Sequence, residues 1–262
     1  MPDVIQKVQV NIPFTMLYDS YLDLFVERRL NPEIGLDAVA LERFSFSDFK
    51  RIAETLYKNP VSITLHGPFM DLSPASKDPA VRALTRRRFE QLLELVPLFR
   101  PISVVCHAGY DWRRYGFDRQ EWIDGSLEMW SWLAKCLRNE GARLMLENVY
   151  EDGPQDIVVL FEQLEQFGVG FCLDTGHQAA FGKASLNDWL QGLGRYLGQL
   201  HLHDNHGQGD EHLAMGKGSI DFNQLFAYLK NRHTKPPLIT LEPHEEKHLE
   251  LSLAYLAEIW PW

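Results

Sequence analysis

Only three cysteines occur in 262 residues, Cys106, Cys136 and Cys172, and no two of them form a CxxC pair. That points to reduced thiols rather than a disulfide framework. No run of about 18 apolar residues is present, which argues against a membrane-spanning helix. The start, Met1-Pro2-Asp3-Val4, lacks the basic and apolar regions of a signal peptide, so a cytoplasmic protein is expected. Cations are also in short supply: 26 Lys plus Arg against 36 Asp plus Glu give a net charge of −10. This excess of acid disfavours nucleic acid or an anionic membrane as the partner, though it leaves room for a local basic strip. No Gly/Ser linker, low-complexity tract or composition break divides the chain, and residues 1–262 read as one domain.

What is present is a regular alternation. Short β-rich runs at 7–12, 35–40, 61–66, 102–107, 143–147, 169–174, 198–204 and 238–242 are nearly continuous apolar segments, as in parallel strands covered on both faces. Helical patterns lie between and after them, at about 17–29, 46–57, 78–97, 119–139, 155–166, 185–195, 221–232 and 246–258. Candidate caps precede several: Ser45 or Ser47, Asp118 and Ser185. An open doubly wound sheet and a closed barrel both satisfy this order. Eight strand–helix units at this length favour a single α/β (β/α)8 TIM barrel.

Ionisable residues collect where the apolar runs end. The third run closes on His66-Gly67-Pro68, the fourth on His107-Ala108-Gly109 and the fifth on Glu147-Asn148. The sixth ends Asp174-Thr175-Gly176-His177, and the seventh gives His201-Leu202-His203-Asp204 followed by Asp210-Glu211-His212. The eighth ends Glu242-Pro243-His244. In a parallel barrel all strand C-termini open on one face, so these groups would share one bowl. Crowded imidazoles and carboxylates without cations repel in a partly dry site, and divalent metal relieves that repulsion. Mixed His/carboxylate ligands suit Zn, Mn, Co or Fe better than Ca or Mg. Zinc or manganese is expected, at one to three ions per chain. His233 and His248 lack such placement and read as surface residues, while His203 and His206 read as spares.

These motifs, with Gly216-Lys217-Gly218-Ser219-Ile220-Asp221, resemble the xylose isomerase-like barrel superfamily, which holds sugar phosphate isomerases and epimerases together with endonuclease IV. The resemblance spans the whole chain. In the isomerase branch it implies one metal on Glu147, Asp174, His201 and Glu242, with His177 near substrate. In the endonuclease branch it adds His66, His107, His177, Asp210 and His212 and implies three metals. Where relatives commonly carry Gly-Glu-Gly, this chain has Gly216-Lys217-Gly218.

Two chemistries follow. Isomerisation or epimerisation of a small sugar or sugar phosphate needs a base on each side of a carbon and a Lewis acid on the oxygens, roles for Glu147, Glu242 and His177. Phosphoester hydrolysis of endonuclease IV type needs clustered metals and accounts better for the surplus ligands. A barrel that binds metal or sugar without turnover is a third reading, at odds with the paired glutamates. Asn148, Arg113, Arg114 and Lys217 are candidate substrate contacts, and Asp204 is a candidate to orient a ligand imidazole. The loop cations Lys77, Arg113, Arg114, Lys183 and Lys217 are few for holding duplex DNA, so a small sugar-type substrate is favoured. A homo-oligomer stays open.

Overall fold

The computed structural model describes residues 4–232 and 236–262, so His233 lies outside the described residues. Eight strands close in sequence order into a parallel barrel: β1 (Gln9–Pro13), β2 (Asn31–Gly35), β3 (Thr64–His66), β4 (Ser103–His107), β5 (Arg143–Glu147), β6 (Gly170–Asp174), β7 (Leu197–Leu202) and β8 (Leu238–Leu241). Each leads to a helix: α1 (Leu22–Arg28), α2 (Phe46–Leu56), α3 (Pro79–Phe99), α4 (Arg119–Asn139), α5 (Val158–Leu164), α6 (Leu186–Leu193), α7 (Phe222–Arg232) and α8 (Glu246–Ile259). This is the expected (β/α)8 barrel. Among the described residues no helix is long and apolar enough to cross a membrane.

Strand alternation sorts the side chains into two environments. Val104 and Cys106 on β4, Leu144 and Leu146 on β5, and Phe171 and Leu173 on β6 join the large apolar core that the helices share. The residues between them face the barrel axis, where Val105, Met145 and Cys172 form a separate small plug. The rest of that interior is polar. Glu33 Oε2 accepts hydrogen bonds from Thr64 Oγ1 (3.0 Å), Gln199 Nε2 (2.6 Å) and Thr240 Oγ1 (3.0 Å), and Ser103 Oγ donates to Gln199 Oε1 (2.7 Å).

Ser45 and Ser185 each form a capping box, with Asp48 and Asp188. Asp118 makes no side-chain cap and pairs with Lys77 instead. The one strand placed wrongly from sequence is the second, expected at 35–40. The chain enters the barrel at Asn31–Gly35, and Ala38–Arg43 is a helix whose N-cap Asp37 accepts the Ala40 N–H at 2.6 Å. The reason is the polar interior. Asn31 and Glu33 face inward, so β2 lacks the apolar signature of its neighbours, and Pro32 further disguises it.

Candidate metal centre at the barrel mouth

Strand register delivers the ligand-type residues to one level. His107 lies opposite Glu147, Glu147 opposite Cys172, and Asp174 opposite His201. Glu147 is the hub. Its Oε2 is 3.2 Å from His66 Nε2, 3.5 Å from His201 Nδ1 and 3.8 Å from His107 Nε2, while Oε1 is 3.0 Å from His177 Nδ1. Glu242 Oε1 reaches within 2.9 Å of His201 Nδ1, and Asp174 Oδ2 within 3.9 Å of the same atom. Asp210 Oδ2 lies 3.4 Å from His177 Nε2 and 3.0 Å from His212 Nε2. All nine residues read from sequence as ligands therefore converge on the C-terminal mouth.

The donor set fits divalent cations on three counts. First, His66, His177 and His212 each turn Nδ1 to a backbone carbonyl and Nε2 to a carboxylate. A backbone carbonyl can only accept, so the contacts of His66 Nδ1 with Gly67 O (2.9 Å), His177 Nδ1 with Asn148 O (3.1 Å) and His212 Nδ1 with Glu242 O (3.4 Å) put the ring proton on Nδ1. Nε2 of each ring faces a carboxylate and donates to it in metal-free protein, and a metal ion would take that proton's place on Nε2. Second, Asp174 Oδ2, Asp210 Oδ1 and both ring nitrogens of His201 are buried without a hydrogen bond. Third, the charges are mutually dependent. Burial works against ionised Glu147, yet His201 and His107 outweigh it and hold the carboxyl well below its ordinary range. Burial likewise opposes a cationic His177, but Asp174, Asp210 and Glu147 hold it well above its usual value. In metal-free protein imidazolium protons neutralise the carboxylates; a dication would replace those protons and release them.

The mouth opens into a cavity of about 620 Å³ lined by Phe69, Tyr110, Tyr150, Phe181, Arg114 and His244, among others. Phe69 stacks on His107 at 4.3 Å. The candidate substrate contacts divide. Arg114 lines the cavity, whereas Arg113 Nε is held by Asp111 Oδ1 at 2.9 Å. Lys217 is exposed and outside the lining. Asn148 has both amide atoms engaged, donating to Asp174 O and accepting from Asp174 N at 3.0 Å each, so it latches β5 to β6. Asp204 orients no imidazole; its oxygens accept backbone N–H groups of Asn205, Gly216, Gly218 and Ile220. His206 is exposed and pairs with Glu211, and His248 is half-buried, donating from Nδ1 to His212 O at 3.2 Å.

Sequence reasoning missed Glu33, whose Oε1 is 2.9 Å from His201 Nε2, and set aside His203. The available signal was period two: Glu33 follows Asn31, and His203 follows His201, on one face. It also missed Glu151, buried, with Oε1 accepting Tyr110 N–H (3.1 Å) and Oε2 accepting Val149 N–H (2.6 Å), which ties the loops after β4 and β5 together. Burial pushes its carboxyl up to about 7 despite those two donors. A raised carboxyl favours folding in its protonated form, so this contribution is full below the unfolded value near 4.5 and is lost as pH rises through 7. The group therefore costs up to about 3 kcal/mol at pH 8 relative to pH 4. Chemical denaturation of Glu151→Gln against wild type should show this slope absent from the variant, whose stability at pH 4 is lower because its amide N–H2 cannot accept one of the two backbone N–H groups. An identical slope in both would refute it.

Known proteins agree with this architecture. The family described as xylose isomerase-like TIM barrel matches residues 30–259. An uncharacterised protein of Methanocaldococcus jannaschii is 29% identical over 190 residues, which is 70% of this chain, and the match spans about 65% of that relative's length. A probable endonuclease 4 of Mycobacterium leprae is 26% identical over 190 residues, 68% of this chain and 72% of the relative. Among solved structures, a Thermus thermophilus protein soaked with ZnCl2 superposes with a TM-score of 0.83 at 27% identity, covering 97% of this chain and 98% of its own. A D-tagatose 3-epimerase-like protein superposes with a TM-score of 0.80 at 25% identity, covering 97% and 96%. With its fold, its strand-end residues and the family match all in accord, the chain belongs to the xylose isomerase-like TIM barrel family.

Proposed function

We propose that this protein is a metal-dependent isomerase or epimerase of a small sugar or sugar phosphate, worked by Glu147 and Glu242 at the barrel mouth. The observation that carries this reading is the approach of two glutamates from β5 and β8, three strands apart, to the same His201 Nδ1, at 3.5 and 2.9 Å. Zinc or manganese held by Glu147, Asp174, His201 and Glu242 would polarise a substrate carbonyl and its neighbouring hydroxyl. Glu242 is the more accessible of the two, with 11% of its side chain exposed against 1% for Glu147, and takes the proton from the substrate carbon. Glu147 serves the opposite face, its Oε1 beside His177 Nδ1 so that a proton can pass along that contact. Phe69, Tyr110, Tyr150 and Phe181 give the substrate an aromatic wall. Arg114 is the only Lys or Arg among the described lining residues, which suits a small substrate better than a nucleic-acid duplex.

One observation favours a second reading, phosphoester hydrolysis. Glu147 splits its oxygens between three imidazoles on one side and His177 on the other, as a carboxylate shared between ions would. The 26% identical endonuclease 4 relative supports this too.

The deciding experiment incubates the zinc- or manganese-loaded protein with a panel of ketoses, aldoses and their phosphates in D2O. Deuterium at the carbon beside the carbonyl, with appearance of the isomer or epimer, is the expected result. Absence of exchange across the panel, together with nicking of a duplex carrying an abasic site, would overturn isomerisation in favour of hydrolysis.

A further inference from the structure

His203 stands one step further along the barrel axis than His201, on the same inward face of the chain leaving β7. We propose that His203 is itself a metal ligand, completing a cation position at the rim with Asp174, Asp210 and Glu242; this rests on the metal-dependent reading above. Its Nε2 lies 3.2 Å from Asp174 Oδ1, 3.6 Å from Asp210 Oδ1 and 3.9 Å from Glu242 Oε2. The ring is 1% exposed, yet neither nitrogen makes a hydrogen bond. A histidine buried for structural reasons satisfies at least one of them. Three carboxylates converge on this ring, and although His177, His201 and His212 share them, only a cation seated among them can engage all three and His203 at once.

The surroundings are shaped for this ring. A Cβ on Gly176 would sit 1.8 Å from His203 Cε1, so the first turn of the helix Thr175–Phe181 after β6 leaves space for the imidazole that any other residue would fill. The opposite face lies flat on His212, at 3.8 Å between centroids and 10° between planes. Held between glycine and imidazole, the ring has little freedom to turn its Nε2 away from the carboxylates. Nor does His203 duplicate His201. Glu242 presents Oε1 to His201 Nδ1 and Oε2 to His203 Nε2, while His201 Nε2 is directed at Glu33 in the layer below. The two histidines thus serve different depths of one centre, and the outer one adds an imidazole that favours zinc over magnesium there.

The test strips the full-length protein with chelator, then titrates zinc alone in competition with a chromogenic chelator. Elemental analysis gives the ions retained. His203→Ala is expected to hold one tightly bound zinc fewer than wild type, or to bind one at least about tenfold more weakly, with the metal-free melting temperature little changed. Gly176→Ala, which displaces the ring, should reproduce the loss. Should either variant fail to fold, long-range 1H–15N correlation of the wild-type chain reads the same point, since zinc must shift a ring nitrogen of His203. Wild-type stoichiometry and affinity in His203→Ala, or an unmoved His203 nitrogen in zinc-loaded protein, overturns this inference alone. A wild-type chain that takes up neither zinc nor manganese overturns it together with the metal-dependent reading.

Discussion

Replacing Glu147 by Gln should lower turnover by about a thousandfold or more and strip the centre of metal, while the far-UV dichroism stays that of wild type. The size of the effect follows from how many groups depend on one side chain. His66, His107, His177 and His201 all lie within 3.8 Å of its carboxylate oxygens, so no other residue in the mouth can substitute for it. Gln keeps the shape but offers one neutral oxygen and an amide N–H2, and the N–H2 faces imidazole nitrogens that need an acceptor or a cation. Losing a ligand should weaken metal binding by more than the roughly 10- to 100-fold typical of removing a supporting partner. Both proposed chemistries pass through this residue. A Glu147→Gln protein with undiminished activity and metal content would therefore reject both.

Glu33→Ala should be the most destabilising single change in the barrel interior, lowering stability by about 3–5 kcal/mol and the melting temperature by roughly 10 °C. Burial alone would push this carboxyl up, but His201 and the Thr240 hydroxyl more than offset burial and hold it below the ordinary range. Alanine would leave the donors on Thr64, Gln199 and Thr240 without their acceptor and His201 Nε2 without its counter-charge. Unsatisfied groups of that kind are costly because water cannot reach them. Calorimetry on metal-free protein isolates the effect from any change in metal binding. A drop of less than about 1 kcal/mol would show that the network under the centre is replaceable.

What could be read from the sequence, and what could not, divides along physical lines. Apolar runs on the flanking strands marked β3 to β8, and each run's last residue marked the mouth, because a strand packed on helices must be apolar outward while its exit carries the ligand-type side chains. The same rule hid β2. Its inward residues are polar along the whole strand, so periodicity favoured the apolar stretch just after it, which is a helix. His203 was passed over because alternation places it on the same face as His201, and no pattern says how deep each ring sits. Depth comes from the close approach of Gly176, which belongs to the exit turn of the neighbouring strand. Glu151 is a loop carboxylate whose burial depends on two neighbouring turns meeting, a tertiary event that leaves no local trace. Asn148 and Asp204 carried the chemistry of substrate or ligand contacts in their residue types, yet the side-chain oxygens of both are consumed by backbone N–H groups.

Asp204 also bears on how this barrel can change. Its two oxygens gather the backbone N–H groups of Gly216, Gly218 and Ile220, and a Cβ on Gly218 would fall 2.4 Å from Oδ1. The course of that segment is thus dictated by main chain and one carboxylate, and the Lys217 side chain takes no part in it. Evolution, or an engineer, can rewrite residue 217 without disturbing the segment's path, which makes it a position where new preferences can be tried at small risk to folding.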